Sequence, residues 1–151
     1  QGQSSVQVKV TIDFSTSQVV TLALADYSPA LFAGAGGMAA ALDQSNAAVT
    51  SSNPVRRGQV VQLFANGLGA VANQPASGDP ATSSPLSRTT SVPTVTIGGQ
   101  QAAVMFSGLA PGFAGLYQVN AVVPAGVPAG LQSVVLAIGG VASSPVTLPV
   151  Q

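Results

Sequence analysis

From Val6 to Phe14 the chain alternates. Val6, Val8, Val10, Ile12 and Phe14 stand between Gln7, Lys9, Thr11 and Asp13, a period of two that predicts a strand with one apolar and one polar face. Ser15–Gln18 reads as a turn or short link. Val19–Ala25 reads as a second strand, or a continuation after a bend, and adds Val20, Leu22 and Leu24 to the apolar set. Residues 1–5 are polar and expected to be loose unless bound. A junction follows at Asp26–Phe32: Pro29 biases Ser28 towards an extended backbone, and Tyr27, Leu31 and Phe32 are placed to pin the chain to a body.

Beyond the junction the pattern becomes short strands punctuated by turns. Gly34–Gly37 is a flexible turn. Met38–Gln44 carries helix-favouring alanines but is too short to stand as a helix; with the residues up to Thr50 it reads as two short strands around a DQSN turn. Residues 50–58 form a polar loop, and Gln59–Gly69 is a core strand ending in an Asn-Gly turn signal. Residues 70–91, rich in proline and small polar residues, are expected to be an exposed, irregular excursion. Val92–Gly108 reads as strand, Gly98-Gly99 hairpin, strand. A strand at Leu116–Val123, a Pro/Gly turn, a second Gly-Gly hairpin at residues 139–140 and a last strand at Val146–Val150 complete the chain. This spacing predicts an all-β sandwich over residues 27–151, preceded by an extended N-terminal strand arm over residues 1–26.

Charge changes the picture most. Lys9, Arg56, Arg57 and Arg88 balance Asp13, Asp26, Asp43 and Asp79, and charged residues make up 5% of the 151, against about a quarter in an average soluble domain. So neutral a surface has little self-repulsion and suits close packing against copies of itself, although Ser, Thr, Gln and Asn can equally keep it wet. Nucleic acid is a poor partner, because Arg56-Arg57 is the sole adjacent basic pair. Apolar runs are too short for a membrane span. The absence of cysteine excludes disulfides and thiolate chemistry and leaves the compartment open.

Catalytic chemistry finds no foothold. Without His, Cys or Glu there is no ordinary zinc ligand set and no base for a Ser–His–Asp triad. The four aspartates lie far apart in sequence, and the glycine-rich GAGG stretch lacks the lysine of a phosphate loop. No catalytic residue, cofactor or metal site is expected, and the chain reads as a non-enzyme. Phe113, Leu116 and Tyr117 are large apolar groups set among small ones after the Pro111-Gly112 turn. They form either a binding ridge or a loop that plugs one end of the sandwich.

Three stretches carry a resemblance: Arg57-Gly58 before the core strand, Asn66–Gly69 (NGLG), and Leu109–Asn120 (LAPGFAGLYQVN). With the glycines and prolines around them, they make residues 27–151 resemble the uncharacterised C-terminal domain of large secreted acidobacterial proteins first described in Solibacter. The resemblance implies an immunoglobulin-like sandwich and an extracellular or cell-surface location. It brings no catalytic residues.

The arm, Val6, Val8, Val10, Ile12, Phe14, Val20, Leu22 and Leu24, then has three fates: to fold back on its own domain, to join a neighbouring subunit, or to stay unpartnered. Sheet edges are templates for strand addition, and head-to-tail addition does not close on itself. The expectation is an extracellular structural subunit that donates its arm to copies of itself and so builds a filament. The alternative is a monomeric cell-surface adhesion module for polysaccharide or another cell-surface protein.

Overall fold

The computed structural model describes residues 3–151; the expectation for residues 1–5 falls partly, at Gln1 and Gly2, outside them. Each alternating stretch becomes a strand. In chain order these are β1 (Ser5–Val8), β2 (Thr11–Ile12), β3 (Ser15–Thr16), β4 (Val20–Ala23), β5 (Ala30–Leu31), β6 (Ala41–Leu42), β7 (Val60–Asn66), β8 (Thr94–Ile97), β9 (Gln100–Leu109), β10 (Tyr117–Val122), β11 (Gly130–Ile138), β12 (Val141–Ala142) and β13 (Val146–Val150).

Strands β5 to β13 form one large antiparallel sheet in the order β12-β11-β8-β9-β10-β7-β5, with β13 continuing beside β11 and β6 beside β7. Its ends curl towards each other. Parallel bridges Met38–Thr147 and Val55–Val150 stitch the outer edge of β13 to the chain that leads into and out of β6. The Ala39 N–H donates to the Thr147 carbonyl (2.8 Å), and the Gln151 N–H donates to the Val55 carbonyl (2.9 Å). The curling puts alternate residues of every strand on one side. Leu63, Val119, Ile97, Leu136 and Leu148 lie in a single core with Ala41, Ala65 and Ala121 between them, so aliphatic side chains fill the interior of a chain poor in aromatics. The fold is thus all-β, a half-barrel-like curl of one sheet.

Two expectations are corrected. The arm is a hairpin, with Val19–Ala25 supplying a second strand and not a continuation after a bend, but its turn is displaced: β1 pairs with β4, and β2 with β3. The turn lies at Asp13–Phe14, ahead of the Ser15–Gln18 link that the sequence suggests. Asp13 adopts a left-handed backbone (φ 53°), which Asp tolerates better than most residues. Phe14 therefore leaves the strand and becomes the hairpin tip. The second correction concerns residues 70–91. They are irregular but pinned: Val71 bridges Thr89, and Val71 and Ala81 bury against Leu109 in a small second core. Ser87 is buried there too, its hydroxyl donating to the Asn73 carbonyl at 2.8 Å.

The junction between arm and body is built on glycine. The Ser28 N–H donates to the Gly67 carbonyl (2.9 Å). The Tyr27 ring lies against Gly69 and Gly139, and its hydroxyl bonds Ser91 Oγ at 2.8 Å. Any side chain at these glycines would occupy the space of the Tyr27 ring or the Ser28 carbonyl.

Candidate functional site

The arm departs from this junction as a two-stranded hairpin with no body behind it. Val6 faces Leu22 and Val8 faces Val20 across the ladder, so these side chains share one side of the hairpin. Val10 and Ile12 extend that side towards the tip, and Leu24 begins it near the base, where its N–H donates to the Ser4 carbonyl (2.9 Å). The opposite side is polar, with Thr11 and Thr16 hydroxyls 3.0 Å apart. The apolar side is open. Val8 is 40%, Leu22 49% and Ile12 69% exposed, and Phe14 at the tip is fully exposed. The structure thus gathers Val6, Val8, Val10, Ile12, Val20, Leu22 and Leu24 into one strip and sets Phe14 apart at its end.

The ladder contains one irregularity. Lys9 and Val10 face three residues, Ser17 to Val19, a bulge set by the registers on either side. The Ser17 N–H donates to the Val10 carbonyl, and the Val10 N–H donates back to Ser17 Oγ at 3.0 Å. The serine hydroxyl satisfies the amide that the extra residue would otherwise strand.

The other sequence-derived candidates divide. Tyr117 is half-buried against both cores, and its hydroxyl donates to the Gly69 carbonyl. Burial pushes its phenol pKa up. Leu116 is half-buried, and its carbonyl accepts the Ala110 N–H. These two brace the end of the sheet. Phe113 does not join them; it is 57% exposed on a loop whose backbone is tied to Ala81. Arg57 braces a carbonyl, donating to Val127 at 3.3 Å.

A second surface feature was not legible in sequence. Gln62 on β7 and Gln118 and Asn120 on β10 come side by side, Gln118 Nε2 donating to Gln62 Oε1 (3.1 Å) and to Asn120 Oδ1 (2.8 Å). Gln62 Nε2 continues the row to Asn46 Oδ1 (2.7 Å). Next to it, the Arg88 guanidinium sits 5.0 Å from the centre of the Phe106 ring. Arg88, Phe106, Pro111, Gln118 and Asn120 line an open hollow of about 310 Å³. Gln62, Gln118 and Asn120 at outward positions of β7 and β10 were the available signal, but strand partnership was needed to join them. Among the described residues no three His, Cys, Asp or Glu side chains converge, and no helix is long and apolar enough to cross a membrane.

The amide row ends at an acid-stabilised turn. Asp43 Oδ1 accepts the Ser45 and Ala47 N–H groups (2.8 and 3.0 Å), and Oδ2 accepts Asn53 Nδ2. The Asn53 amide, then the backbone donors, hold the Asp43 carboxyl below its ordinary value. A lowered folded-state pKa contributes stability above the unfolded pKa and loses it as pH falls through the folded one. Asp43→Ala is therefore expected to lower the thermal midpoint at neutral pH, with the difference from wild type vanishing in strong acid; melts across pH check this.

No family model, curated protein or solved structure matches the chain, so the fold and the geometry of the arm carry the functional argument.

Proposed function

We propose that this protein is an extracellular structural subunit, not an enzyme, that self-assembles through its hairpin arm. The observation that carries the reading is the arm's open apolar strip, which no core among the described residues covers. A lone two-stranded hairpin is marginally stable in water and gains stability from further strands or a packed face. Taking a fully exposed Val, Leu or Ile side chain to full burial contributes about 1.5–3 kcal/mol, and each partly covered side chain of the strip gains a share of that. Among the described residues the arm also has two unpaired edges, the outer sides of β1 and β4. The edge of β1 in one subunit fits that of β4 in the next, a head-to-tail joint that repeats without closing and produces a filament. The near-absence of charge removes the repulsion that would oppose such stacking. The resemblance to domains of secreted acidobacterial proteins supports the extracellular location, and the curled sheet suits an immunoglobulin-like sandwich as its rigid body.

A second reading, a monomeric adhesion module for surface polysaccharide, is favoured by the Phe106 ring beside the amide row of Gln62, Gln118 and Asn120. An aromatic face next to fixed amide donors and acceptors matches the alternating apolar and hydroxyl-bearing surfaces of a sugar.

Sedimentation velocity and electron microscopy decide between them. The wild-type chain is expected to associate with rising concentration and to give elongated polymers. Leu22→Asp, which places a charge in the strip, is expected to sediment as a monomer with the body's melt unchanged. A wild type that stays monomeric at every concentration removes the assembly reading, and saturable polysaccharide binding by that monomer, lost in Gln118→Ala, moves the conclusion to adhesion.

A further inference from the structure

The arm repeats the body's own last hairpin, position for position. Both turn through two residues, Asp13–Phe14 between the pair Ile12–Ser15, and Gly139–Gly140 between the pair Ile138–Val141. Both then carry a serine-centred bulge at the same place. The Ser17 N–H donates to the Val10 carbonyl (2.9 Å) and Ser17 Oγ accepts the Val10 N–H (3.0 Å). The Ser143 N–H donates to the Leu136 carbonyl (2.7 Å) and Ser143 Oγ accepts the Leu136 N–H (3.1 Å). Past the bulge the ladders resume at Val8–Val20 and at Val134–Val146. Val8, Ile12, Ser17, Val20, Thr21 and Leu22 are matched by identical residues, Val134, Ile138, Ser143, Val146, Thr147 and Leu148. Two-residue turns recur among unrelated hairpins; a shared turn length, bulge, register and apolar face together do not follow from that alone.

The two copies differ in what they touch. In the body, Leu136 and Leu148 are fully buried and Ile138 is 3% exposed. The other edge of β11 is bonded to β8, from Val134–Ile97 to Ala137–Thr94. In the arm, the matching face and the matching edge of β1 are open. The body therefore displays what a hairpin of this design covers: the apolar side of a curled sheet, with a β8-type strand at its edge.

We infer that the arm is a closing hairpin whose seat lies in another β-body, a curled antiparallel sheet of this chain's class with its β8-type edge open and its own closing hairpin absent. An intact copy offers no such seat, because β11 to β13 fill it and the outer edge of β13 is bonded at Ala39 and Val55. Between intact copies the arms meet one another, through their open edges and their apolar strips. The inference rests on the assembly reading in one respect, that the arm binds outside its own body.

The test is a graft within the full chain. In one variant, residues 131–150 are replaced by the sequence of residues 5–24; in a second, only the strands are exchanged and Gly139-Gly140 is kept. At least one is expected to retain a single cooperative melt and the native near-ultraviolet tyrosine signal. A third graft, entered one residue out of register, turns the apolar set away from the core and is expected to be unfolded. Failure of both in-register grafts to fold, or equal folding of the shifted one, overturns the inference. A mixture of Lys9→Cys and Thr96→Cys chains addresses an intact copy as acceptor, since Lys9 matches Val135, which faces Thr96. No mixed disulfide is expected; its formation would give the seat to an intact copy and overturn the assignment of a vacant one. The arm is unchanged in the grafts, so failure of association in sedimentation removes the assembly reading and leaves the graft result standing.

Discussion

Leu136→Ala is expected to destabilise the body by about 2–5 kcal/mol, the range for truncating a buried leucine, while Val10→Ala at the matching arm position changes stability by no more than about 0.5 kcal/mol. Leu136 has no exposed surface and lies in the main core; the cavity left behind is lined by strands whose partners fix them on both sides. Val10 is 57% exposed on a hairpin that touches no core. The two sites share bulge geometry and backbone hydrogen bonding, so the contrast isolates burial from local structure. Thermal melts read the difference directly, at roughly 2–4 °C per kcal/mol for a chain of this size. A Val10→Ala midpoint that falls as far as that of Leu136→Ala would mean the arm is part of the cooperative body, and the case for an arm free to bind elsewhere would end there.

That contrast also marks how far the sequence could be read. The strands β7 to β10 and β13 are legible because alternation and glycine turns agree over each stretch: Gly98-Gly99 and Gly139-Gly140 close hairpins where the pattern places them. The arm was legible as strands but not in the place of its turn, because the alternation from Val6 runs unbroken through Asp13 to Phe14 and Asp-Phe is no turn signal. The turn is recognisable only by comparison with residues 131–150, where the same valines, isoleucine, serine and leucine flank a Gly-Gly pair. Residues 70–91 misled for a different reason. Their small core depends on single residues, Val71, Ala81 and Ser87, that meet Leu109 through long-range packing and leave no period to read. The amide row failed likewise: Asn46, Gln62, Gln118 and Asn120 become neighbours through strand pairing, which composition does not encode. Closure of the sheet through the Met38–Thr147 and Val55–Val150 bridges is also non-local, since it joins the first and last parts of the body.

Gly67→Ala is expected to cost about 2–5 kcal/mol, the sum of a strained backbone and an overlap. Gly67 has φ +72°, a left-handed conformation in which a side chain is strained, and a Cβ there would run into the Ser28 carbonyl, which belongs to the backbone and cannot rotate away. Gly99→Ala is the control: its φ is +76°, but nothing lies within 4 Å of an added Cβ, so it should cost about 1 kcal/mol. The excess at Gly67 measures the close approach that holds residue 28, and through it the base of the arm, against the body. Displacing Ser28 also disturbs Tyr27, whose ring packs on Gly69 and Gly139 and whose hydroxyl bonds Ser91. The near-ultraviolet tyrosine signal, which comes only from Tyr27 and Tyr117 in a chain without tryptophan, should therefore change in Gly67→Ala and not in Gly99→Ala. Equal melts for the two variants would show that the junction yields freely, and that the arm's direction of exit is not set by the Ser28–Gly67 contact.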